Sequence, residues 1–138
     1  MEKFRYLDHT GDLGVEVFGA DLNDLFRHAG EAFADIMTDP GSVRVRETRK
    51  ISLTADRVED LLLKWFNEFI FYFDTEALLF SQFDIRSVDE TRIEAGIRGE
   101  PYDEGRHEIK TTVKSATYHQ LAVVRREDGW KAVVIFDL

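Results

Sequence analysis

Asp8-His9-Thr10-Gly11-Asp12 brings two carboxylates, an imidazole and a hydroxyl into one short stretch near the N-terminus. Asp8 and Asp12 are hard oxygen donors, and His9 offers a nitrogen that titrates near neutrality. Gly11 admits a backbone conformation closed to other residues. These types suit a metal or catalytic site. They also suit a polar turn whose Asp and Thr side chains hold local N–H groups, and spacing alone leaves that turn ahead.

More carboxylates stand at the other end of the chain. Val133-Val134-Ile135-Phe136 runs directly into Asp137-Leu138. The terminal residue adds an α-carboxylate, with an ordinary pKa of about 3.3–3.7. If the last strand pairs beside the first, these groups approach Asp12. Three converging carboxylates repel one another unless a cation sits among them, and oxygen-only ligation favours a hard ion such as Ca²⁺ or Mg²⁺. The competing reading is a frayed, solvated terminus; the apolar run argues against it.

A third group lies in HEIKTTVKSATYHQ, where His107, Lys110, Lys114, Tyr118 and His119 are the donors. On a strand, Lys110, Lys114 and Tyr118 share a face, which makes a local basic patch. The plainer reading is a solvated strand face whose lysines discourage edge pairing.

The elements that must position these groups are readable. A helix is expected from about Asp21 to Met37, with Leu22, Leu25, Phe26, Ala29, Phe33, Ile36 and Met37 on one face and Asp21 as its cap. Gly30 inside it costs about 1 kcal/mol relative to Ala, which points to close packing there. A second helix is expected from about Arg57 to Phe73, with Asp56 and Glu59 forming a capping box. Its apolar residues leave only a narrow polar stripe at Asp60, Lys64, Asn67 and Glu68. Such a helix must be covered on more than one side, so it should lie between layers. Segments 13–19, 43–55, 78–90, 91–99 and 107–121 read as strands. The end of the chain reads as a hairpin turning at Asp128-Gly129. TDPGS at 38–42 stops one element, and RGEPYDEGRH at 98–107 reads as a loop. Short turns argue for antiparallel pairing and an α+β domain over residues 1–138.

Composition narrows the function classes. The chain has 138 residues, 43% of them hydrophobic, and no cysteine. That fits an ordered domain with no thiolate chemistry, in a reducing compartment. MEKFRYLDHT has no apolar signal segment, and no run is long enough to span a membrane. A cytoplasmic location is the expectation. The net charge of −9 opposes strong direct binding to phosphate backbones; it can attract cations or a basic protein partner, or serve only to keep the protein in solution. No GxGxxG, P-loop, GxSxG, HExxH or EF-hand pattern is present.

Taken together, YLDHTGDLGVEVFG, LNDLFRHAGEAFADIMTD, DLLLKWFNEFIFYFDTE, GEPYD with RHEIKTTVKSATYH, and VVIFDL resemble the archease family along most of the chain. The family's first motif is usually Asp-His-Thr-Ala-Asp, so Gly11 is a small departure that keeps every donor. The resemblance implies a β/α/β sandwich and an accessory protein in place of a stand-alone enzyme. The implied partner is the RNA-splicing ligase, with tRNA reached only through it. The ligase attaches GMP from GTP to its own active-site histidine, and the archease promotes that step and multiple turnover. By the same resemblance, Asp12, Asp137 and Leu138 would hold a divalent cation, Ca²⁺ first, with Mg²⁺ or Mn²⁺ as alternatives. Lys114 is the best match to the family's functional lysine, with Lys110 close by. Asp8 and His9 would shape the turn or line the partner surface. Two other functions compete: a chaperone-like modulator of a tRNA methyltransferase or similar RNA-modifying enzyme, and a metal-dependent hydrolase using His9 or His107 as base.

Overall fold

A computed structural model describes residues 2–7 and 11–138. The segments on either side of the DHTGD stretch form two strands, β1 (Phe4–Leu7) and β2 (Leu13–Gly19). Helix α1 (Leu22–Met37) follows, then β3 (Glu47–Thr54), α2 (Val58–Glu76), β4 (Leu78–Val88) and β5 (Arg92–Pro101). The chain closes with β6 (Ser115–Arg126) and β7 (Gly129–Asp137). The strands pair into two antiparallel sheets, one in the order β1-β2-β7-β6 and the other β3-β5-β4.

Both helices touch strands of both sheets, so they form the middle layer of a β/α/β sandwich. This is the packing that the all-round apolar character of α2 demands. Trp65, Phe66 and Phe69 of α2 are at most 1% exposed. The Trp65 indole N–H donates to the Phe26 carbonyl at 2.9 Å, so the largest core side chain buries no unpaired donor. Phe136 of β7 carries the aromatic cluster into the four-stranded sheet, with its ring 5.0 Å from Phe66 and 6.0 Å from Phe33.

Gly30 has a packing reason. A Cβ at this position would lie 2.5 Å from the Phe83 ring of β4, far inside contact distance. The missing side chain lets α1 settle onto the three-stranded sheet. On the outer face of the other sheet, Glu16 accepts from Arg5 at 2.8 Å and pairs with Lys131 at 2.6 Å. Lys131 first, then Arg5, hold its carboxyl below the usual range against the opposing effect of burial. That triad ties β1, β2 and β7 side chain to side chain.

Several boundaries differ from the sequence reading, each for a local reason. Asp21 does cap α1, accepting from Asp24 N–H at 2.8 Å. The Asp56–Glu59 capping box does not form; Arg57 is the N-cap of α2 and makes no side-chain cap bond. The helix also continues three residues past Phe73, ending at Ala77 in the left-handed region. Residues 98–101, expected in a loop, finish β5 by pairing with β4. The final hairpin is present, but its two-residue turn is Glu127-Asp128, with Gly129 opening β7 at φ +135. Residues 107–114 are not a strand. Lys110 N–H instead donates to the Met37 carbonyl at the end of α1, and the Thr38 hydroxyl donates to the Glu108 carbonyl. The segment is a strap between the sheets, held by the end of a helix. Within β6 the register jumps between Thr117, opposite Ile135, and Ala122, opposite Val133. The surplus residues bulge outward, with Gln120 at φ +55 and Tyr118 largely exposed.

Candidate functional site

The register of β2 against β7 puts the two ends of the chain together. Leu13 is opposite Phe136. Asp12 immediately precedes the first and Asp137 immediately follows the second. On the far side of β7, Ser115 is opposite Asp137, and Lys114 N–H donates to the Asp137 carbonyl at 2.9 Å. One end of the four-stranded sheet therefore gathers Asp12, Asp137, Leu138 and Lys114. Leu7 is opposite Gly14, so the chain leaves β1 at this same end. Asp8, His9 and Thr10 lie outside the described residues.

The backbone is well placed to hold this end. β7 is regular through Asp137, and its neighbour Phe136 is fully buried. A core aromatic thus anchors the last strand one residue before Asp137. Gly11 takes φ +77, the left-handed conformation anticipated for it. Asp137 and Leu138 remain accessible, Leu138 at 39% exposure. The donor types here are carboxylate oxygens, which suit a hard cation. Among the described residues no three His, Asp or Glu side chains group to hold a metal. A cation at this end would draw on Asp12, Asp137 and the Leu138 carboxylate.

The three donors expected to share a strand face do not. Lys110 Nζ sits 3.6 Å from Asp35, whose other oxygen accepts from the Tyr6 hydroxyl. Burial first, and then Asp35, push the Tyr6 hydroxyl well above its ordinary pKa. Tyr118 stands in the β6 bulge and hydrogen-bonds Asp60 on the first turn of α2, which raises its pKa. Lys114 thus stands apart from both, and the anticipated basic patch is absent because 107–114 lacks strand geometry. Asn67 of α2 accepts from Ala116 N–H at 3.2 Å, two residues beyond Lys114, and fixes where the strap joins β6.

The strap's other end is clamped by a feature the sequence reading passed over. Glu100 is fully buried and accepts four hydrogen bonds. Arg106 binds both oxygens, Arg44 N–H donates at 2.7 Å, and His107 Nε2–H donates at 3.1 Å. Arg106 above all holds the carboxyl down to about 2, against the desolvation that would raise it. His107 Nδ1 accepts from Asp103 N–H at 2.9 Å. An Nδ1 that accepts and an Nε2 that donates fix the neutral ring in one tautomer. With both nitrogens engaged and 4% exposure, His107 has no lone pair for a substrate, so it is not the base of a hydrolase. It is a strut of the strap.

The comparisons agree with this architecture. The model of the Archease protein family matches residues 4–138. Protein archease of Sulfurisphaera tokodaii is 32% identical over 140 residues, covering 100% of both chains. The protein archease of Methanothermobacter thermautotrophicus is 34% identical over 142 residues, again covering 100% of both. Among solved structures, Methanobacterium thermoautotrophicum protein 1598 superposes with a TM-score of 0.85 at 34% identity, covering all of each chain. The Thermotoga maritima archease, described as a possible chaperone, shares the fold at a TM-score of 0.66 and 20% identity, with 96% and 94% of the chains covered. By sequence over its whole length, and by fold, the chain belongs to the archease family.

Proposed function

We propose that the chain is an accessory activator of the RNA-splicing ligase, acting through the end of the sheet that carries Asp12, Asp137, Leu138 and Lys114. The observation that supports this most is the Leu13–Phe136 register, which makes neighbours of residues at opposite ends of the sequence. The reaction promoted is the ligase's own guanylylation. A bond forms between the ligase histidine nitrogen and the α-phosphorus of GTP, the α–β anhydride bond breaks, and pyrophosphate leaves. Asp12, Asp137 and the Leu138 carboxylate would hold a divalent cation, which supplies positive charge where phosphoryl oxygens gather. Lys114 adds a cation at the end of the strap, one residue before β6, and the Glu100–Arg106–His107 clamp keeps that strap in place. Asp8 and His9, which precede Asp12 in the sequence, would face the ligase. RNA is met only through the ligase, in keeping with a net charge of −9.

The test is ligase guanylylation with GTP, with and without this protein. Asp12→Ala and Asp137→Asn, shown folded by circular dichroism, should abolish stimulation and lose Ca²⁺ binding by calorimetry. Folded variants that stimulate normally would sink the proposal. Enhanced turnover of a tRNA methyltransferase with no effect on the ligase would favour the chaperone-like alternative.

A further inference from the structure

The outer face of the three-stranded sheet runs against the charge of the rest of the molecule. It carries Lys50, Arg86, Arg92 and Arg98 against only Asp84 and Glu94, in a chain of net charge −9. Both carboxylates are already held: Arg92 pairs with Glu94 at 2.6 Å and Arg98 with Asp84 at 3.7 Å. Lys50 and Arg86 make no ion pair among the described residues. They stand on the two outer strands, β3 and β4, with β5 between them.

Between them lies Gly96, opposite Lys50 on one side and Asp84 on the other. A glycine inside a strand weakens the strand, and often marks a place where a ligand comes close. Packing does not require this one. A Cβ here would meet only the Thr48 methyl, at an ordinary 3.7 Å. The missing side chain instead forms the floor of a cavity of about 350 Å³, walled by Lys50, Ser52, Arg86, Glu94 and Arg98. That volume is in the range of small-ligand sites, roughly 300–1,000 Å³.

We infer that this cavity binds a phosphate monoester of nucleotide size, its phosphate over Gly96 between Lys50 and Arg86. Four cations against two carboxylates leave this face a surplus of two positive charges, which matches the nearly two negative charges of a phosphate monoester at neutral pH. A phosphodiester linkage carries one charge and matches poorly. No aromatic residue lines the cavity, so the phosphate is recognised and the base is not stacked. The site belongs to the sheet remote from Asp12 and Asp137 and is independent of the ligase proposal.

The probes are AMP, adenosine, and a ten-nucleotide RNA with and without a 5′-phosphate. Each is titrated into the whole protein and followed by calorimetry and by the Gly96 amide in a ¹⁵N correlation spectrum. AMP should bind and move the Gly96 amide, and adenosine should do neither. Lys50→Ala/Arg86→Ala should weaken AMP at least tenfold. Gly96→Val fills the floor and should do the same while the protein stays folded. Preference for the 5′-phosphorylated RNA over AMP would assign the site to RNA ends; the reverse would assign it to free nucleotides. Equal binding of the unphosphorylated RNA would overturn the monoester assignment. No AMP binding at millimolar concentration, or binding unchanged in both variants, would overturn the site.

Discussion

Replacing Glu100 with Ala should cost more than any single change on the surface. The side chain is wholly buried; its loss strands the Arg44 N–H and the His107 Nε2–H and leaves the half-buried Arg106 guanidinium with Asp103 alone. Two donors left unsatisfied cost about 1–3 kcal/mol each, and the weakened Arg106 pair brings the loss to about 3–5 kcal/mol, the range of a broken buried ion pair. A domain of this size loses about 4 °C of melting temperature per kcal/mol. The melting temperature should therefore fall by about 12–20 °C, with the 3–5 kcal/mol loss taken from a total of about 5–15 kcal/mol. The assay is thermal unfolding followed by circular dichroism at pH 7. The double variant Glu100→Leu/Arg106→Met discards both charges, and should be less damaged than the sum of the single changes. A fall below about 3 °C for Glu100→Ala, or strict additivity in the double variant, would refute the view that this carboxylate clamps the strap.

Further outcomes follow from the same packing. Gly30→Ala should destabilise by about 1–3 kcal/mol through overpacking against Phe83, despite the helix-propensity gain of about 1 kcal/mol; urea unfolding measures it, and a stabilised variant would contradict the close contact. The depressed Glu100 carboxyl makes stability depend on acid: its contribution is complete above the ordinary value of 4.5 and is lost as pH falls toward about 2. Glu100→Gln should flatten the unfolding free energy across that window, and an unchanged acid slope would remove Glu100 from the account. Adding one glycine after Leu138 displaces the α-carboxylate without touching the core. It should weaken Ca²⁺ binding at least tenfold while leaving the melting temperature unchanged, and unchanged Ca²⁺ binding would take Leu138 out of the ligand set.

What the sequence made legible was the part written in periodicity. The two helices and their central layer follow from the spacing of apolar residues, because burial is periodic in a helix, and the close packing at Gly30 from the cost of a glycine inside one. The strap at 107–114 alternates just as a strand does, yet its hydrogen bonds go to Met37 and Thr38. Alternation tells which residues face inward and not which backbone lies alongside. Glu100 was hidden for a related reason. Arg106 and His107 follow it six and seven residues later, across a stretch rich in Gly, Pro and charge, where acidic residues ordinarily meet water. A buried Glu with both an Arg and a His close behind is a signal that could have been weighed. The proposed terminal site depends on the register of β2 on β7, which the residues near Asp12 do not encode by themselves; the family resemblance pointed to Asp12, Asp137 and Leu138 without it.

The outward bulge in β6 has a bearing on how the protein lives among its own copies. β6 is an edge strand, and Leu121-Ala122-Val123-Val124 along it is the kind of segment that recruits another chain. The surplus residues from Tyr118 onward break the ladder of exposed backbone groups into two short lengths, and Gln120 turns the chain away between them. An approaching strand could engage one length but could not stay in register with both. Trimming the bulge would leave one continuous unpaired edge, the kind of template on which a second copy can pair.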